Sequence, residues 1–208
     1  MVEDTIQRGE LTRSAITFAA HHLFLKRGYH GTSMRQIAEK AGISLGGIYN
    51  HFSSKDDIFR AVMLEHHPFF SVLPGMETAT GDTVEEYVKD AAARMVAALG
   101  DRMDYLNLMF IELVEFDGKH LPELFQAFFP KVMFFSDQLV QREGPLRPIP
   151  PPVLIRAFIG LFLSFVITEL LIGKYLPPDQ SQGALDYFID IYLHGILSTS
   201  HPLPNSAA

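Results

Sequence analysis

A chain of 208 residues, 48% hydrophobic and 20% charged, is long enough for one large folded domain or two smaller ones, and its composition separates it from disordered and collagen-like chains. The absence of cysteine excludes a disulfide framework, a thiolate zinc site and a cysteine nucleophile. The net charge of -7 disfavours a polyanionic partner only as an average, because residues 1–67 carry eight Lys/Arg against seven Asp/Glu while residues 68–208 carry nine against 17.

The segregation sharpens between Lys26 and Lys55, where Lys26, Arg27, Arg35, Lys40 and Lys55 face the single acid Glu39. Such a distribution predicts a polyanion-facing head on an acidic body. The N-terminus lacks a basic stretch followed by an apolar one, so no export signal is read there and a cytoplasmic location is expected. The apolar run Val153 to Gly173 is interrupted by Arg156 and Glu169, leaving only Ala157 to Thr168 uncharged. That is short of the roughly 20 residues a bilayer needs, so a buried helix and no membrane partner are expected.

Helical signals run the length of the chain, and an all-α fold is predicted. Ile16, Ala20, Leu23 and Phe24 form one apolar stripe within Leu11 to Arg27, stopped by Gly28. Ser33 and Gln36 have capping-box spacing and open a short helix, Met34 to Lys40. Gly42 ends it. Ser44 caps the next helix, Leu45 to about Phe52, and Ser53 or Ser54 caps a fourth with Asp56 and Asp57 in its first turn.

Ser71 to Asp82, with Pro74, Gly75 and Gly81, reads as a loop. An amphipathic helix follows through Val84, Tyr87, Val88, Ala91, Met95, Ala98 and Leu99. Two more are expected at about Asp104 to Phe116 and Pro122 to Gln141, the latter kinked or broken at Pro130. Residues 144–152, GPLRPIPPP, form a stiff connector to an apolar helix from about Pro152 to Lys174. A last helix carries Leu185, Phe188, Ile189, Tyr192 and Ile196 on one side, and 201–208 read as a disordered tail.

Two short helices joined by a glycine-containing turn, behind a longer packing helix, suit the DNA major groove, which is about 12 Å wide and admits one helix. Ile37, Ala38, Ala41, Ile43 and Ile48 form the predicted inner face, leaving Leu45, Gly46, Tyr49, Asn50 and His51 outward. The run from Ile16 to Lys55, with AA at 19–20, LF at 23–24, RGY at 27–29, TS at 32–33, IA at 37–38, AGIS at 41–44, G at 46, IYNHF at 48–52 and SK at 54–55, resembles the TetR family of regulators.

The resemblance implies a homodimer, usually a repressor, with a three-helix DNA-binding domain at 1–54 and a larger helical ligand-binding and dimerisation domain at 55–200. Its partners would be a near-palindromic double-stranded DNA operator and a small hydrophobic ligand that releases it. It carries Thr32, Ser33 and Arg35 over as phosphate contacts, with Ser44, Leu45 and Gly46 leading the recognition helix and Tyr49, Asn50, His51 and Lys55 beside it. Alternatively, Tyr49 is a packing residue and Lys55 a solvated charge. Leu45 departs from the polar residue of many relatives, and glycines at 46 and 47 offer no side chain to a base, so Leu45 is expected on thymine methyl groups, with Arg35, Asn50 and groove shape aiding discrimination.

Ten of the 17 phenylalanines fall between residues 105 and 175. A ligand pocket is expected from Met103, Met109, Phe110, Leu113, Phe125, Phe129, Met133 and Phe162. A dimer interface is expected near Phe158, Phe162, Phe165, Tyr187, Phe188 and Tyr192. Glu112, Glu115 and His120 do not complete a metal ligand set, so no metal and no cofactor is expected. An enzyme acting on a hydrophobic substrate lacks any nucleophile-elbow, phosphate-loop or zinc-protease spacing, which leaves a helical protein-interaction module as the other rival.

Overall fold

The computed structural model describes residues 2–67, 69–100, 104–177 and 183–197. Its helices are α1 (Val2–Arg27), α2 (Met34–Lys40), α3 (Leu45–Tyr49), α4 (Lys55–His66), α5 (Phe69–Glu77), α6 (Val84–Leu99), α7 (Asp104–Glu115), α8 (Leu121–Val140), α9 (Pro151–Ile172) and α10 (Ala184–Ile196), with a 3-10 turn at Gly173–Tyr175. Among the described residues there is no β-strand, only isolated bridges pairing Thr83 with Glu143 and Leu146 with Leu197. The all-α expectation holds. The tail at 201–208 lies outside the described residues.

Packing groups the chain into two units that do not follow a division at residue 54: one holds 1–70 with 102–128, the other 71–101 with 129–208. In the first, Ile16, Ala20, Leu23 and Phe24 of α1 bury the predicted stripe against Ile37 and Ala38 of α2, Ile48 of α3 and Ile58, Phe59 and Val62 of α4. Leu108 of α7 and Leu124 of α8 complete this core. Rings of Tyr29 and Phe59 meet Phe116, the latter pair stacked at 4.6 Å.

The second unit is organised by a column of rings. Tyr87 of α6 stacks on Phe135 of α8 at 5.1 Å, Phe135 on Phe158 of α9 at 4.9 Å, and Phe158 leans on Tyr192 of α10 at 5.7 Å. Each fully buried phenylalanine here contributes about 1.5–3 kcal/mol by leaving water. The Tyr192 hydroxyl donates to the Leu154 carbonyl at 3.1 Å, so the buried phenol is satisfied.

Three local expectations need correction. The loop predicted at Ser71 to Asp82 begins as helix α5, which contains Pro74 because burying Val72, Leu73 and Met76 outweighs the proline's missing donor. Gly75 permits this packing: a Cβ there would lie 3.1 Å from the backbone of Arg94. Helix α8 runs through Pro130 as one element, so of the expected kink or break there is no break. Helix α3 ends at Tyr49 with Asn50 as its C-cap, short of Phe52, so His51 lies in the turn beyond it.

Helix α9 has 22 residues and is long and apolar enough to cross a membrane by length and composition. The uncharged stretch from Ala157 to Thr168 therefore understated it. Its burial of Leu154, Ile155, Phe158, Phe162, Phe165 and Val166 shows one side packed within the unit.

Candidate nucleic-acid interface

The serines predicted as caps build the site. Ser33 accepts from the Gln36 backbone while the Gln36 side chain returns to Ser33, closing the capping box on α2. Ser44 Oγ accepts from Gly47 N at 3.0 Å and opens α3. Ser54 accepts from Asp57 N at 3.0 Å and opens α4. Hydrogen bonds from Ser53 and Ser54 hold the Asp57 carboxyl below the usual carboxylate range.

Between these caps α3 turns Ile48 inward, fully buried, and presents Ser44, Leu45, Gly46, Tyr49 and Asn50 outward. Leu45 is 39% and Tyr49 54% exposed, so both are accessible to a partner surface. A Cβ at Gly46 would meet nothing within 4 Å, whereas one at Gly47 would sit 3.1 Å from Ser44 Oγ. Gly47 thus protects the cap, and Gly46 leaves the outer surface low. Ser33 and Arg35 are exposed, and His51 is half-buried.

Two residues expected to meet phosphate do something else. Thr32 is 2% exposed and its hydroxyl donates to the Gly28 carbonyl at 2.9 Å. Lys55 turns inward: its ammonium donates to the Tyr29 carbonyl at 2.7 Å and the Thr32 carbonyl at 2.8 Å, and sits 4.0 Å over the Tyr29 ring. Burial pulls the Lys55 pKa down, and burial together with Asp56 and Glu115 pushes the Tyr29 phenol up. Lys55 is a brace between α4 and the turn after α1, where the free carbonyls of a helix end attract a cation.

A second set of ties, invisible in the sequence, joins the helix-turn-helix to the α7–α8 corner. Arg60 grips Glu123 through Nε at 2.5 Å and Nη2 at 2.6 Å, Lys119 meets Asp56 at 2.5 Å, and His30 meets Glu115 at 2.5 Å. The Arg60 guanidinium holds the Glu123 carboxyl below its ordinary range. Beneath them the buried Glu112 carboxylate accepts from His120 N at 2.6 Å and faces His120 Nδ1 at 2.8 Å, while His120 Nε2 lies 3.4 Å from Asp56. Glu112 and His120, the fragments of an incomplete metal site, are each other's hydrogen-bond partners. Among the described residues no cluster could hold a metal ion.

Residues 16–62 match the family pattern described as "Bacterial regulatory proteins, tetR family". The chain is 43% identical over 54 residues to the HTH-type transcriptional activator FasR of Mycolicibacterium smegmatis, covering 26% of this chain and 25% of that protein. It is 44% identical over 52 residues to the HTH-type transcriptional repressor BepR of Brucella suis, 25% of each chain. The solved structure of NalD, the secondary repressor of the MexAB-OprM multidrug efflux pump in Pseudomonas aeruginosa, superposes over 90% of this chain and 97% of its own with a TM-score of 0.59 and 25% identity. Residues 16–62 are a TetR-family DNA-binding region.

The sequence matches span only about a quarter of FasR and BepR, so beyond the helix-turn-helix the TetR likeness is one of fold. Outside that TetR-like region, the eight residues expected to line a pocket do not share a unit. Met109 is half-buried and Phe110, Leu113 and Phe125 are exposed in the first; Phe129 is exposed, Met133 half-buried and Phe162 buried in the second; Met103 lies outside the described residues. Among the expected dimer residues, Phe158, Phe165 and Tyr192 are buried inside the protomer, Phe158 and Tyr192 as members of the ring column. Phe188 is half-buried against Phe165 at 5.5 Å, and Tyr187 is 74% exposed. Ile191, 70% exposed and one turn beyond Tyr187, escaped sequence reasoning because it lies off the apolar side read for this helix.

Proposed function

We propose that this protein is a ligand-responsive, DNA-binding transcriptional regulator acting as a homodimer in the cytoplasm, without enzymatic activity of its own. The observation that carries the reading is α3: a capped turn of helix with Leu45, Tyr49 and Asn50 outward, Gly46 low between them, and the guanidinium-bearing Arg35 exposed on the neighbouring helix. An apolar and weakly polar surface of this kind fits a groove floor, with Leu45 against thymine methyl groups and Arg35 and Ser33 toward phosphate.

Dimerisation is supported by Val153, Leu171 and Ile172 of α9 and Tyr187 and Ile191 of α10, large apolar side chains left half or more exposed in the second unit. Two-fold pairing would place two α3 helices on one near-palindromic operator about 34 Å apart or more. A hydrophobic ligand is favoured by the density of phenylalanine, ten of the 17 falling between residues 105 and 175. Repression is favoured by BepR and NalD, which are named repressors, against FasR, which is named an activator.

Selection of bound fragments from the source genome, followed by mobility-shift titration at several salt concentrations, tests the reading. A steep loss of affinity with salt and a shared inverted repeat are expected. Absence of any retarded species at low salt would refute DNA binding and favour a protein-interaction module. Leu45→Ala should relax selectivity between operator and a thymine-substituted competitor; unchanged selectivity would remove Leu45 from base recognition.

A further inference from the structure

The cations of the helix-turn-helix fall into two groups. Arg13 lies over the Phe52 ring and beside Glu65, Lys55 holds two carbonyls, and Arg60 holds Glu123. Lys26, Arg27, Arg35 and Lys40, in contrast, make no side-chain hydrogen bond or ion pair among the described residues. Three of these four line a single open groove of about 400 Å3 between α1 and α2, with His22, Lys26 and Arg27 on one wall and Gln36, Glu39 and Lys40 on the other. Glu39 stands within the groove, yet no cation among the described residues pairs with it.

A folded domain that has a carboxylate at hand and still leaves three cations unpaired in one recess is suited to a polyanion. The groove is continuous with the surface already described, because Gln36 both lines it and closes the cap on Ser33, next to the exposed Arg35. From Gln36 to Lys40 the helix advances about 6 Å, close to the rise of two nucleotides along one strand, about 3.4 Å each. Its walls are polar and its mouth is open, which fits a continuous backbone better than a small enclosed anion.

We propose that the α1–α2 groove is a second DNA contact, receiving sugar–phosphate backbone that flanks the stretch faced by α3 through Lys26, Arg27 and Lys40. The proposal rests on the DNA-binding reading above and adds to it a set of residues that no likeness assigns. Its energetic character is electrostatic and indifferent to sequence: the three cations displace counterions, while Glu39 opposes them.

The test uses the full chain and a mixed-sequence duplex about three helical turns long, with affinity measured by fluorescence anisotropy across a salt series. Lys26→Gln/Arg27→Gln/Lys40→Gln should make the slope of log affinity against log salt shallower by about 0.9 for each phosphate that a head no longer neutralises. Glu39→Gln should strengthen binding, a gain that misfolding cannot imitate. Lys89→Gln/Arg94→Gln/Arg156→Gln removes equal charge from the body and should leave the slope near wild type. An unchanged slope in the groove variant, or an equal change in the body variant, overturns the proposal and leaves α3 binding intact. Saturable calorimetric binding of inorganic phosphate alone, abolished by the groove substitutions, would make this a free-anion site and also overturn it. Failure of the wild type to bind the duplex at all removes the DNA-binding reading and the groove together.

Discussion

Lys55 and Tyr29 hold each other twice: the ammonium donates to the Tyr29 carbonyl at 2.7 Å and lies 4.0 Å from the centre of the same residue's ring. Lys55→Met should therefore lower stability by about 1.5–3 kcal/mol, the range for hydrogen bonds made by a charged group. Urea unfolding of the variant checks this. If stability is unchanged and the salt slope of DNA binding drops instead, Lys55 is a phosphate contact and not a brace.

The two glycines of α3 should behave oppositely. Gly46→Ala meets open space and should stabilise the fold by up to about 1 kcal/mol through helix propensity, while weakening operator binding by filling the face turned to the groove. Gly47→Ala crowds Ser44 Oγ and should weaken the cap, costing up to about 1 kcal/mol. Thermal melts and anisotropy on each variant separate the two effects. Operator affinity retained in Gly46→Ala would place DNA elsewhere.

His67 is 1% exposed, and burial pulls its pKa from 6.5 to about 4. The unfolded chain thus binds a proton that the folded chain refuses between those values. Stability is full above about pH 6.5 and declines as pH falls toward 4, by about 3 kcal/mol at most for this one group. His66 is shifted in the same direction by burial and adds to the trend. His67→Gln should flatten the pH dependence of the urea midpoint in that window; a curve parallel to wild type would show that His67 is not responsible.

Tyr187 and Ile191 stand one helical turn apart on α10, 74% and 70% exposed. Tyr187→Asp/Ile191→Asp should shift the sedimenting species from dimer to monomer with little change in protomer unfolding. A dimer unaffected by both charges would move the interface off this face.

The helix-turn-helix was legible because its determinants are local. Ser33, Gln36, Ser44 and Ser54 act within three residues of themselves, and the apolar stripe of α1 needs only helical spacing to show. What escaped was set by distance. Nothing near Lys55 in sequence reveals the Tyr29 and Thr32 carbonyls 26 and 23 residues away, and nothing near Arg60 reveals Glu123, 63 residues on. Apolar residues such as Phe158 and Tyr192 carry the same signature whether they face a protomer core or a second subunit, so sequence alone assigned them to the wrong surface. Pro74 and Gly75 misled for the converse reason: tertiary burial of Val72, Leu73 and Met76 overrode their turn preference.

The seam formed by Phe116, Lys119, His120 and Glu123 has a practical bearing on any attempt to isolate the reading head. A fragment cut after His66 would leave Tyr29 and Phe59 without their aromatic roof and Asp56 and Arg60 without counter-charges, so it should purify as a sticky, partly molten species. The smallest autonomous piece must carry the α7–α8 segment from Asp104 to Phe128, grafted back through a linker.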